Sequence, residues 1–198
     1  MNRRKIVITK DVVAYFEDIK DMIEIADILM TDIRRVTEIS YDKIKQYKNS
    51  PEDQFLHEQE TWIRLSNRLV ISRIEAVCFK LKELTLIRYK MLKKDPGEED
   101  TAFLTEKRKN GGLKFMSTGE NLKYAFKMFA NAFNSTYKLK FGPEWEIFQR
   151  VLNKRRGLTH PKNKRDLSIS PADQNDAVDT GIWFDKILKE LVDSIPRL

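Results

Sequence analysis

Residues 154–165 read KRRGLTHPKNKR, with seven ionisable side chains in twelve positions: six Lys or Arg and one of the two histidines in the chain. Carrying the helical period forward from Trp145, Phe148 and Leu152 puts Arg155 on the apolar face and leaves Arg156 off it. A guanidinium facing packed surface is costly to desolvate unless it meets a carboxylate, backbone carbonyls or a phosphate. Gly157 suits a helix C-cap and Pro161 biases His160 toward an extended conformation, so the helix is expected to end just after Arg156 and return the imidazole to the pocket of Arg155. Histidine exchanges a proton near neutral pH, and arginine braces a phosphate through parallel hydrogen bonds. Those are two of the functions needed to cleave RNA without a metal: proton transfer at the 2′-hydroxyl or leaving oxygen, and stabilisation of charge at phosphorus.

Blander readings of the same residues stand beside this one. Lys154, Arg156, Lys162, Lys164 and Arg165 also read as a solvated charge run at a helix C-terminus, where cations are favoured. Arg155 and His160 also read as a structural pair, with Arg155 bonded to Asp166 or an acid of the last helix and His160 capping a carbonyl. His57, among Glu58, Glu60 and Trp62, reads as structural or neutral. The carboxylates show neither HExxH nor DxDxDG spacing, and the Gly-Gly pair at 111–112 lacks the lysine of a phosphate loop, so no metal and no cofactor is expected.

The elements that must hold these groups are helical. With 41% apolar and 34% charged residues but only 7 Gly and 6 Pro in 198 positions, the chain suits long amphipathic helices in one all-α domain. Val12, Phe16, Ile19, Ile23, Ala26, Met30 and Ile33 predict a first helix over about 11–47. Ser50 as N-cap and Pro51 at the first position start a second, which runs to Lys94 with Val70, Ile74, Val77, Leu81, Leu84, Ile87 and Met91 on one face. Unbroken, it would reach roughly 65 Å, so it needs a bend or the first helix folded along it. Residues 95–112 read as a polar, mobile loop with one helical turn at most. Ser117 to Glu120 is a capping box for a third helix carrying Leu122, Phe126, Phe129 and Phe133. YKLKF at 137–141 reads as a short strand or an extended linker with Lys138 and Lys140 in solvent. Pro143 starts the fourth helix, and Ser170-Pro171 the fifth, with Val178, Ile182, Trp183, Ile187 and Leu191.

Nothing approaches a membrane span, and MNRRKIVITKDVV lacks the apolar core of a signal peptide, so a soluble, cytoplasmic protein is expected. The single cysteine, Cys78, lies in an apolar helical pattern and reads as a buried small hydrophobe. The net charge of +7 favours an anionic partner. Segment 171–193 carries six acids against two lysines, which confines any polyanion-binding face to part of the surface.

The late R-x-x-x-x-H of Arg155 to His160, the tract NKRRGLTHPK with DLSIS and a final helix, and RLVISRIEAVCFKLKEL at 68–84 together resemble the HEPN superfamily of nucleotide-binding and RNA-cleaving helical domains. The similarity covers about 55–198, leaving 1–50 as an added N-terminal helix. It implies an antiparallel HEPN-like bundle and a metal-independent endoribonuclease whose two copies of the motif meet in a homodimer cleft. Arg155 would contact the scissile phosphate and His160 would transfer protons. Lys154, Arg156, Lys162, Lys164 and Arg165 would supply salt-sensitive phosphate contacts. The family further implies a toxin or defence role, with an antitoxin or regulatory protein as a partner. The residue after the arginine is commonly Asn, Asp or His in active members; Arg156 can grip phosphate but cannot act as a neutral hydrogen-bonding partner. Two other function classes are open: a non-catalytic helical module that dimerises and binds RNA, a nucleotide or a protein, and a coiled-coil scaffold built on the heptads of 12–33 and 70–91.

Overall fold

The computed structural model describes residues 10–107, 112 and 116–196, with the side chains of 10–16, 18 and 22 excepted. Among the described residues six α-helices follow one another: α1 (Lys10–Asn49), α2 (Asp53–Met91), α3 (Glu98–Leu104), α4 (Thr118–Ala132), α5 (Pro143–Thr159) and α6 (Pro171–Asp193), with a 3-10 turn at Lys164–Leu167. No strand forms among the described residues, and 137–141 is a linker without regular secondary structure that exposes Lys138 and Lys140. No described helix is long and apolar enough to cross a membrane. The N-terminal nonapeptide, the side chains of Val12 and Phe16, and Gly111 lie outside the described residues.

The 39 residues of α2 form the axis of the molecule, and they are unbroken because α1 folds back along them. A helix of this length is stabilised by burial of its stripe, and Val70, Ile74, Val77, Leu81 and Leu84 are each at most 2% exposed. The turn between α1 and α2 differs from expectation. Ser50 N–H donates to the Gln46 carbonyl at 3.0 Å, so Ser50 closes α1, and Glu52 becomes the N-cap of α2. At the far end α2 stops at Met91, short of Lys94, where Lys93 takes a positive φ of 50°.

One core draws on all six helices, including Ile33 of α1, Phe103 and Leu104 of α3, Leu122, Phe126 and Phe129 of α4, Phe148 of α5 and Phe184 of α6. The 95–104 part of the expected loop is therefore anchored: α3 spends two apolar side chains on the core. Cys78 is fully buried there. Of the residues expected on buried faces, Met30, Ile87, Met91 and Val178 are only partly buried, and two are exposed. Ile23 is 51% exposed and Ile182 is 64% exposed, because α1 turns Val36 and Ser40 inward and α6 turns Ala177, Thr180, Phe184, Ile187 and Leu191 inward. A smaller cluster, Ile63, Leu158 and Ile169 with Ile44, fastens the C-terminal end of α5 and the chain after it to α1 and α2.

Candidate functional site

The basic tract begins on α5 and is held by α2. Val151 and Leu158 are 1% exposed, which fixes the rotation of the helix. Arg68 then donates from Nη2 to the Leu158 carbonyl at 2.6 Å, and Arg64 donates from Nη1 to the Leu167 carbonyl at 3.0 Å. The helix does not end at Gly157. It continues to Thr159, whose hydroxyl donates to the Arg155 carbonyl at 2.8 Å, and His160 is the C-cap with φ −130° and ψ 63°. Gly157 permits a close approach: a Cβ there would lie 3.2 Å from the Asp166 carbonyl oxygen, tighter than ordinary van der Waals contact. Asp166 is consumed locally, since its carboxylate accepts from the Lys162 and Asn163 N–H groups at 2.7 and 3.1 Å and closes the 3-10 turn.

Arg155 takes its counter-charge from elsewhere. Its Nη2 lies 3.3 Å from Oε2 of Glu75 on α2, and Oε1 of the same carboxylate accepts from the Thr118 hydroxyl at 2.8 Å. These residues border a pocket of about 380 Å³ that also contains Ser117, Gly119, Gln149, Asn153, Arg156 and His160. Arg155 and His160 thus line the same concavity, with Arg156 beside them. Glu75, Arg155 and Arg156 together bring a net charge of +1 to the wall. The first turn of α4 faces the same space, and helix N-termini favour anions. Its cap is tightly made: Ser117 N–H and hydroxyl donate to Glu120 Oε2 at 3.1 and 2.8 Å, and the hydroxyl bond, followed by the backbone bond, holds the Glu120 carboxyl below its ordinary pKa.

The remaining basic residues divide into two groups. Lys154 is turned to α6, where its Nζ meets Asp173 at 3.0 Å and the Ser168 carbonyl at 3.2 Å. Arg156, Lys162, Lys164 and Arg165 are exposed, and their side chains meet no partner among the described residues. His160 is exposed and its ring is likewise unpartnered. His57 is exposed on α2 and does not border this pocket; its carbonyl accepts from the Thr61 hydroxyl at 2.8 Å.

Glu75 and Thr118 are the members of this site that the local sequence did not announce. Glu75 follows core residue Ile74 by one position and looks like an ordinary boundary acid; Thr118 follows a recognisable N-cap. Only the packing of α2, α4 and α5 brings them to Arg155. No group of three or more His, Cys, Asp or Glu with metal-binding proximity occurs among the described residues. The chain matches no protein-family model, no curated protein and no solved structure.

Proposed function

We propose that the pocket of Arg155, Arg156 and His160 cleaves RNA without a metal, in the manner of the HEPN domains that the R-x-x-x-x-H tract resembles. The observation that supports this reading is that these three side chains share the wall of one 380 Å³ pocket. In such a reaction the RNA 2′-hydroxyl attacks the adjacent phosphorus, its proton passes to a base, and the departing 5′-oxygen receives a proton from an acid. The exposed His160 ring has both nitrogens available for one of these transfers. Its counterpart in a second copy, brought face to face across a homodimer, supplies the other. Arg156 needs no rearrangement to contact phosphate, whereas Arg155 must exchange Glu75 for a phosphate oxygen. A toxin or defence role follows from the resemblance.

A second reading has its own observation. In the free chain Arg155 is neutralised by Glu75, which suits a module that grips RNA or a nucleotide through Arg156 and its neighbours and performs no chemistry. Incubating single-stranded RNA with native protein or His160→Ala, in EDTA, separates the two. Cleavage is expected from the native protein and absent from the variant. Cleavage that survives the substitution removes His160 from the mechanism, and retention of RNA with no cleavage under any condition leaves the binding module.

A further inference from the structure

Sharing no lining residue with the His160 pocket, a groove of about 270 Å³ is bordered by α1, α2 and α6. Met30, Ile33, Val70, Ile74, Val178 and Ile182 provide apolar walls, and Arg34, Arg73 and Asp185 are the charged groups that reach it. Two features of this groove are unsatisfied in the free chain, and a third polar atom lies buried in its wall. Ile182 leaves its side chain in water, 64% exposed, at the lip. Arg34 is exposed with no partner among the described residues. Arg73 is only 6% exposed; one Nη bonds Asp185, but its buried Nε has no hydrogen-bond partner.

We infer that this groove is a binding site for an apolar molecule carrying one carboxylate, of the size of a medium-chain fatty acid. The apolar body covers Ile182 and fills the channel, while the head group meets Arg34 at the rim and competes for Arg73. Asp185 cancels one of the two guanidinium charges, so the lining carries a net +1 and selects an anion over a cation. The same charge disfavours a second copy of the chain seated isologously on the groove, because it sets like charge against like. An apolar cavity of about 150 Å³ holds benzene, so this groove has room for roughly ten to twelve carbons. Gly181 lies in the lining, and a Cβ built on it meets nothing within 4 Å. The empty space at that point is therefore open to a side chain or to a ligand, and the two exclude each other.

The site is independent of RNA cleavage and is tested on the full chain by calorimetric titration with decanoate, decanol and decylamine below micelle-forming concentrations. Decanoate is expected to bind once per chain, at least tenfold more tightly than decylamine and more tightly than decanol. Gly181→Leu should remove decanoate binding with no fall in Tm, and Arg34→Glu, a surface change, should weaken it at least tenfold. Equal binding of decanoate and decylamine, decanoate binding that persists in Gly181→Leu, or no binding of any probe would overturn the inference. So would a wild-type dimer that Gly181→Leu dissociates, because the groove would then be a contact between copies.

Discussion

Arg155 and Glu75 face each other across α5 and α2 at 3.3 Å, and Thr118 holds the second carboxylate oxygen. Both side chains of the pair are about one-third exposed, at 32% and 34%. Water screens such a pair to within about 1 kcal/mol, and the separation is long for a charge-assisted bond. A phosphate can therefore displace Glu75 at small cost. Glu75→Gln is expected to change stability by no more than about 1 kcal/mol and to strengthen binding of a single-stranded oligonucleotide several-fold, since it removes a negative charge and frees Arg155. The dependence of log K on log salt should steepen by about 0.7 for one added phosphate contact. Fluorescence anisotropy in a salt series reads this, and an unchanged affinity would exclude Arg155 as a phosphate ligand.

The division among the basic residues makes a separate prediction. Lys154 is tied to Asp173 and the Ser168 carbonyl, so Lys154→Ala should cost about 0.5–1.5 kcal/mol, or a few degrees of Tm, while leaving the salt slope of RNA binding unchanged. Replacing Lys162, Lys164 and Arg165 together by Ala should do the reverse. Their side chains hold nothing in place, so Tm stays within about a degree, but three lost phosphate contacts flatten the slope by about 2. Parallel melting and anisotropy measurements on the two variants check both halves.

The all-helical class and most helix starts were legible because their signals are local. Ser117 with Glu120 and Ser170 with Asp173 are reciprocal caps within four residues, and the stripe of α2 needs no knowledge of its partner. The errors arose where a neighbour decides. Gly157 looks like a stop signal in isolation, but it is occupied as a contact for Asp166, and α5 runs on to Thr159. Ile182 fits the period of α6 as well as Phe184 does; the position of α1 and α2 determines which one is covered. The same holds in the site. That Arg155 needs a counter-group follows from its place on an apolar face, whereas the identity of that group, Glu75, 80 residues earlier and neither Asp166 nor an acid of α6, depends on how α2 packs against α5.

A buried polar chain links three helices, and its removal should be expensive. Gln174 of α6 is fully buried; its Oε1 accepts from the Ser40 hydroxyl of α1 at 2.9 Å and its Nε2 donates to the Ser66 hydroxyl of α2 at 3.1 Å. Gln174→Leu keeps most of the volume but leaves two buried hydroxyls without their partner, at a cost of about 2–4 kcal/mol. Adding Ser40→Ala and Ser66→Ala should recover most of that loss, because no polar group is then stranded. Urea denaturation of the single and triple variants reads the difference. A triple variant no more stable than Gln174→Leu would show that shape, rather than hydrogen bonding, dominates this contact.

Burial also determines the behaviour of the chain in alkali. Desolvation pushes the Cys78 thiol from 9.0 up to about 12, and burial together with the charge of Glu190 pushes Tyr137 from 10.0 to about 12. In both cases the folded chain keeps a proton that the unfolded chain has released. The stability this represents is complete below about pH 9 and is lost as pH rises from there through 12. Unfolding free energy should therefore fall across pH 9–12, and Cys78→Ala should make that fall shallower without abolishing it, because Tyr137 remains. At pH 8 a thiol-specific disulfide reagent should label native Cys78 only as fast as the core opens, and denaturant should accelerate labelling by orders of magnitude. Immediate labelling of the native chain would mean that Cys78 is accessible, and the predicted alkaline contribution of the thiol would disappear with its burial.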